Sequence, residues 1–300
     1  MKSFLTRLLF TAAILAAPAG AMAQKTGHVM SNGVNYYYEI HGQGEPLLLL
    51  HGGLGSMDMF RDLWLPAFAK ERQVIAVDLQ GHGRTTLGDR PIRLIDIAND
   101  LSAVITQLGY GAVDVVGYSF GGGAAFRLAV QHPEHVRRVV IISAGYAQNG
   151  FHPEMLPQQA AVSSKMFDAM KETPMYISYK AVAPKPEDFP RLLDRMGEFM
   201  RTPYDWSEDV KKLQMPVMLV FGDADMFRPD HVVSFYKLLG GGLADAGWTR
   251  EHMSKNRLAI LPNVTHYEMF LSPALVPTVL PFLNGENGPP SWASQVKKED

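Results

Sequence analysis

Seven short apolar runs, at 34–40, 46–50, 73–77, 112–116, 136–142, 216–221 and 257–260, punctuate the chain, each bounded by Gly, Pro, Asp or Asn. All seven read as strands, and 46–50 is a continuous apolar stretch of the kind buried on both faces of a parallel sheet. Between them lie amphipathic stretches long enough for helices, at 57–69, 94–108, 122–131, 229–239 and 273–283. Strand, helix, strand in sequence predicts a doubly wound α/β architecture, a mostly parallel sheet with helices on both faces. The interval 148–212 breaks this rhythm, with helical pieces near 160–170 and 189–200 and no strand pattern. It reads as a lid inserted into a core made of 24–147 and 213–284. The polar stretch 285–300, which contains Pro and Gly, reads as a frayed tail.

The first residues obey a different logic. Lys2 and Arg7 precede or open an apolar run over 8–17, and Ala21-Met22-Ala23 offers a small-x-small cleavage site. Pro18 and Gly20 end that run before the roughly 18 apolar residues that a membrane span needs, so 1–23 reads as a signal peptide. The expected protein is exported, periplasmic or secreted, with no stable membrane anchor. Without the leader, 26 basic residues face 30 acidic ones, a formal charge of −4. That balance gives no footprint for nucleic acid. Cysteine is absent, which excludes disulfides, thiolate catalysis and thiolate metal sites.

Gly117-Tyr118-Ser119-Phe120-Gly121 lies between the run 112–116 and the helix expected from 122. A sharp turn at such a junction leaves the serine hydroxyl exposed and brings the two flanking glycines too close to their surroundings for side chains. It also sets the Phe120 N–H at a helix N-terminus, where it can stabilise an oxyanion. A serine hydroxyl attacks only when a base takes its proton. His266 comes after the run 257–260, at the carboxyl edge where open α/β sheets bind ligands. The orienting carboxylate is expected after 216–221, where Gly222-Asp223-Ala224-Asp225 supplies two. Asp225 is favoured; Asp223 reads as a turn residue bonded to local backbone, and Asp230 as part of the first turn of the next helix. The second oxyanion donor is expected at Gly53, in the glycine-rich loop His51-Gly52-Gly53-Leu54-Gly55. His51 and His82 read as loop-holding residues. His132 and His135 read as solvated, since nothing acidic or thiolate completes a metal shell around them. Neither a metal nor an organic cofactor is expected.

Taken in order, Leu50-His-Gly-Gly53, Asp78-Leu-Gln-Gly-His-Gly-Arg84, Gly117-Tyr-Ser-Phe-Gly121, Gly222-Asp-Ala-Asp225 and Thr265-His266 resemble the α/β-hydrolase superfamily over nearly all of the chain past the leader. The resemblance implies an eight-stranded sheet with an inserted helical lid, and hydrolysis through an acyl-enzyme carried by Ser119, Asp225 and His266. It looks closest to small serine esterases with a short lid. Serine at 119 departs from the aspartate of the epoxide hydrolases and haloalkane dehalogenases that share the fold, and Leu54 stands where the haloperoxidase relatives usually carry proline. The expected partner is a small-molecule ester or lactone, held in a pocket to which Leu54, Tyr118, Met166, Met170 and Met196 are candidates. A C–C bond or amide hydrolase with the same triad, or a non-catalytic binding protein on this fold, are the alternatives. Asp78 and Arg84 are expected to brace the oxyanion loop, and 240–248 to form a surface loop remote from the chemistry.

Overall fold

In the computed structural model, which describes residues 25–286 and 288, each of the seven apolar runs is a strand and an eighth precedes them. In chain order they are β1 (Lys25–Ser31), β2 (Val34–His41), β3 (Glu45–Leu50), β4 (Arg72–Val77), β5 (Val113–Tyr118), β6 (Val136–Ile142), β7 (Val217–Ala224) and β8 (Arg257–Thr265). They form one sheet in the order β1-β2-β4-β3-β5-β6-β7-β8. From β4 to β8 every neighbouring pair is parallel, whereas β1/β2 and β2/β4 are antiparallel. The chain therefore carries the eight-stranded, mostly parallel sheet that the resemblance implies. The additional strand, β1, joins β2 through Asn32-Gly33, both at positive φ (46° and 81°), as a two-residue hairpin turn requires.

The helices are α1 (Trp64–Phe68), α2 (Leu94–Gln107), α3 (Phe120–Gln131), α4 (Met155–Ala161), α5 (Phe167–Met170), α6 (Pro174–Val182), α7 (Phe189–Arg201), α8 (Ser207–Val210), α9 (Pro229–Leu238) and α10 (Leu275–Leu283). Leu101 of α2, Phe126 of α3 and Phe235 of α9 pack on one face of the sheet; Phe68 of α1 and Val279 of α10 pack on the other. Along β3, Leu48 and Leu50 join the first layer and Leu47 and Leu49 the second, all four fully buried. Each such leucine contributes roughly 1.5–3 kcal/mol, so β3 is a fixed floor for the loop at its carboxyl end.

Two helical expectations are corrected. The stretch 57–69 is not one helix but a 3₁₀ turn at Met57–Phe60 and then the short α1. Pro66 explains the late start, because proline is tolerated in the first turn of a helix but not in its interior. The piece expected over 160–170 is divided between the end of α4, a 3₁₀ turn at Ser164–Met166, and α5.

Between β6 and β7 the chain forms α4 to α8 and, among the described residues, no strand. Isolated bridges Ala147–Asp205 and Phe151–Phe227 tie this helical insertion to the core. Its main anchor is α7, whose Phe189, Leu192, Leu193 and Met196 are buried in the same layer as α2 and α3. Gly197 lets α7 lie against the end of α4: a Cβ there would stand 1.9 Å from the Val162 carbonyl oxygen. The expected leader 1–23, and all of the tail 285–300 except 285, 286 and 288, lie outside the described residues. Among the described residues no helix is long and apolar enough to cross a membrane.

Candidate active site

β5 ends at Tyr118 and α3 begins at Phe120, so Ser119 alone makes the turn between them, at φ 55° and ψ −115°. A non-glycine residue there stores on the order of 1–3 kcal/mol of strain. Main-chain bonds hold it in place. The Ser119 N–H donates to the Ile142 carbonyl (2.8 Å), the Gly121 N–H to the His51 carbonyl (3.0 Å), and the Gly123 N–H to the Ser119 carbonyl (3.0 Å). A Cβ on Gly117 would stand 2.1 Å from the Gly121 oxygen, and one on Gly121 would stand 2.4 Å from the Leu50 oxygen. The steric reason for glycine at both positions is thus the close approach of backbones.

Because β5 to β8 are parallel neighbours, the loops at their carboxyl ends share one edge of the sheet. Ser119 comes after β5, Asp225 after β7 and His266 after β8. The Ser119 hydroxyl lies 3.0 Å from His266 Nε2, and His266 Nδ1 lies 2.9 Å from Asp225 Oδ1. A carboxylate can only accept, so the imidazole proton sits on Nδ1 and Nε2 is left to accept from the serine. Both the imidazole and the carboxylate are buried. Burial by itself would raise the Asp225 carboxyl, but hydrogen bonds from His266, Ser143 and the Gly222 N–H outweigh it and hold the group below the usual aspartate value. The Ser143 hydroxyl donates to Asp225 Oδ2 at 2.5 Å, and the Gly222 N–H reaches the same oxygen at 3.4 Å.

Ser143 is a residue that sequence reasoning misses. It stands directly after β6 and adopts φ 52°. A serine just past a strand is too common a signal to single out, and its partner lies 82 residues further on.

The loop after β3 covers the nucleophile. A Cβ on Gly52 would stand 3.5 Å from the Ser119 Cβ, and one on Gly53 would stand 3.6 Å from the Phe120 Cβ. No hydrogen bond from the Gly53 or Phe120 N–H to another described residue is formed. Two donors are therefore available beside the serine. His51 Nε2 accepts from the Leu79 N–H (2.9 Å), so its Nδ1 donates to the Gly52 carbonyl (2.7 Å). Asp78 accepts from the Met57 and Arg84 N–H groups, both at 2.8 Å, which braces the far end of the loop. Burial keeps His51 neutral, with its pKa lowered to about 4, and lowers His82 to about 3. His82 Nδ1 bonds the Gln80 carbonyl at 2.8 Å.

Asp223 does not close a local turn: its exposed carboxylate accepts from the Val264 N–H (3.2 Å), across from β7 to β8. Asp230 lies in the first turn of α9. Tyr118 does not line a pocket; its side chain shares the Val116 face of β5, packs against Trp64 and Phe270, and donates to the His266 carbonyl. Of the methionines, Met196 is buried and its Cε lies 3.1 Å from the Cβ position of Gly53, Met170 is half-buried, and Met166 is exposed. Leu54 is half-buried, at φ 56°. His132 and His135 bond Asn99 and the Gly111 carbonyl, and among the described residues no group of three or more His, Cys, Asp or Glu is placed to hold a metal. The run 240–248 is a loop between α9 and the start of β8, at the edge of the sheet opposite the triad. A cavity of about 630 Å³ lies on the insertion, between Phe167, Tyr176 and Lys180, and is not lined by Ser119, Asp225 or His266.

A family model described as the alpha/beta hydrolase fold matches residues 45–173. The soluble epoxide hydrolase of Corynebacterium sp. (strain C12) is 36% identical over 116 residues, 38% of this chain and 39% of that protein. The (E)-2-((N-methylformamido)methylene)succinate hydrolase of Acinetobacter baylyi is 30% identical over 142 residues, 46% of this chain and 52% of that protein. The chain thus spans about half or less of the length of these two relatives. Among solved structures, carboxylesterase CesB (YbfK) from Bacillus subtilis superposes with a TM-score of 0.65 at 21% identity, covering 88% of this chain and 93% of that one. At that identity the likeness concerns the fold.

Proposed function

We propose that this chain, whose residues 45–173 match the alpha/beta hydrolase fold model, is a serine hydrolase of that fold that cleaves a carboxylic ester or lactone through an acyl-enzyme. The observation that carries this reading is the continuous relay from Ser119 Oγ through His266 to Asp225, at 3.0 and 2.9 Å. His266 Nε2 takes the hydroxyl proton as Oγ attacks the carbonyl carbon, and Asp225 stabilises the imidazolium. The Gly53 and Phe120 N–H groups receive the developing oxyanion. The proton then passes to the leaving alkoxide, which departs as the alcohol. Water adds to the acyl-enzyme by the same relay, releasing the acid and restoring Ser119. In this reading the substrate is a small molecule, and the protein is exported after removal of the leader 1–23.

The test is Ser119→Ala with short p-nitrophenyl esters and a fluorophosphonate label. The variant is expected to lose on the order of 10³-fold or more in kcat, to escape the label, and to fold like the parent. Native rates in a folded Ser119→Ala protein would refute the assignment. Amide and diketone substrates in the same panel separate ester cleavage from C–N and C–C cleavage, since all three share this relay.

A further inference from the structure

The space around Ser119 has two sides with unlike walls. In the reaction proposed above, on which this inference rests, the leaving oxygen must receive its proton from His266 Nε2, so the alcohol portion lies on the His266 side. The carbonyl oxygen faces the Gly53 and Phe120 N–H groups. The acyl substituent is then directed away from His266, toward Gly53, Phe120 and α7.

That acyl side is closed. Met196 of α7 is 1% exposed, with its Cε 3.1 Å from the Cβ position of Gly53. Phe199, one turn further along α7, meets the Phe120 ring edge-on at 5.3 Å. Helix α7 cannot easily retreat, because Phe189, Leu192 and Leu193 are buried beneath it and Gly197 seats it against the Val162 carbonyl. The three arginines of α7 are committed elsewhere: Arg191 to Gly88 and Asp89, Arg195 to Asp89 and Glu198, and Arg201 to the Ala160 and Val162 carbonyls. A carboxylate on the acyl group would be buried here without a cation, which is costly. The alcohol side is open. Tyr267, whose ring lies 5.7 Å from the His266 imidazole, is 60% exposed.

We propose that the protein selects esters of short, uncharged acyl groups while accepting varied alcohols, and that Met196 sets the acyl length limit. The acyl chain meets the Met196 thioether and the Phe120 and Phe199 rings within a few carbons of the carbonyl. The alcohol projects past Tyr267 into solvent.

The experiment measures kcat/KM on p-nitrophenyl acetate, butyrate and hexanoate, and on phenyl and 1-naphthyl acetate. The parent is expected to lose about tenfold or more from acetate to hexanoate, since apolar pockets discriminate at roughly that level per misfitted group. The two aryl acetates are expected to differ by only about threefold, since the open side makes no such demand. Met196→Ala should narrow the acetate-to-hexanoate ratio at least about fivefold, and Met196→Phe should lower butyrate relative to acetate, so that one variant suffices if the other does not fold. Equal parental rates on acetate and hexanoate, or unchanged ratios in a folded variant, would overturn the proposal. A fluorophosphonate label on the parent keeps the two readings apart. Failure to label Ser119 refutes the serine-hydrolase reading itself, whereas labelling with unmoved ratios refutes only the acyl limit.

Discussion

Replacing Ser143 by alanine removes one hydroxyl, and the surroundings of Asp225 determine the cost. The Ser143 hydroxyl and the Asp225 carboxylate are both buried, 2.5 Å apart. A hydrogen bond to a charged group is worth about 1.5–3 kcal/mol. Without it, among the described residues Asp225 Oδ2 keeps only the Gly222 N–H at 3.4 Å, a long and weak contact. Stability should therefore fall by about 2 kcal/mol. The bond to His266 Nδ1 survives but loses its lateral support. If about 1.4 kcal/mol of the loss is expressed in the transition state, kcat falls about tenfold. KM should stay within about twofold, because Ser143 does not touch the substrate.

The pH dependence of stability has a definite sign. Asp225 is held below the ordinary aspartate value in the folded state, so its contribution is present above the unfolded pKa and is lost as pH falls through the folded one. Removing a hydrogen bond to the carboxylate raises the folded pKa toward the unfolded one, so in the variant the loss still begins at the unfolded pKa but is smaller and ends at a higher pH. Ser143→Gly isolates the hydroxyl from the backbone. Serine and alanine both bear the strain of φ 52°, whereas glycine relieves about 1 kcal/mol of it. The glycine variant should recover part of the stability and none of the kcat. Urea melts of the three proteins and their kcat/KM on p-nitrophenyl acetate across mildly acidic to mildly basic pH make the comparison. Wild-type kcat in Ser143→Ala, or kcat restored by glycine, would refute the role given to this hydroxyl.

Two further outcomes are expected. Gly121→Ala, whose Cβ would stand 2.4 Å from the Leu50 oxygen, should cost about 3 kcal/mol or prevent folding, read by urea melts; an unchanged midpoint would refute the close approach of β3 to the turn. Stability should also fall on acidification from about pH 6.5 toward about 4. Burial holds His51 and His231 neutral to about 4 and His82 to about 3, so the unfolded chain takes up protons that the folded one refuses, and stability rises with pH over this window. Burial raises Asp78 to about 6, which acts in the opposite sense between the unfolded aspartate value and about 6. The net excess of about two protons corresponds to about 2–3 kcal/mol per pH unit near pH 5. Urea midpoints that stay flat from about pH 7 to about pH 5 would contradict the buried neutral imidazoles.

The parallel strands β3 to β7 are legible because they are buried on both faces over most of their length, as at Leu47 to Leu50, and a run of apolar residues needs no partner to be recognised. The hairpin strand β1 is not. Its pattern alternates weakly between exposed and buried residues, and its one clear mark, Asn32-Gly33, precedes a strand that is recognisable without it. Ser119, Asp225 and His266 are legible because each sits directly after a strand whose end lies on the shared edge. Ser143 satisfies the same rule, but nothing local distinguishes it from any other serine. Tyr118 shows the opposite failure. Adjacency to the nucleophile suggests a pocket wall, yet alternation along β5 turns its ring into the layer below, where it supports the His266 backbone.

The triad and the acyl wall depend on different forces. Ser119 is positioned by backbone: the close approach of Gly117 and Gly121 to their neighbours, and hydrogen bonds from main chain to main chain. No side chain of the insertion takes part in those contacts. The acyl wall is positioned by side chains, through the apolar seat of α7 and the contact of Met196 with Gly53. Backbone sterics tolerate almost no substitution, because a clash with a carbonyl oxygen cannot be relieved by a rotamer change. An apolar wall tolerates exchange among residues of similar volume at a cost below about 1.5 kcal/mol. On the proposed reading, the chemistry is therefore confined to the part of the chain whose backbone tolerates little substitution and the choice of substrate to the part that tolerates more, with Gly53 as the residue where the two meet.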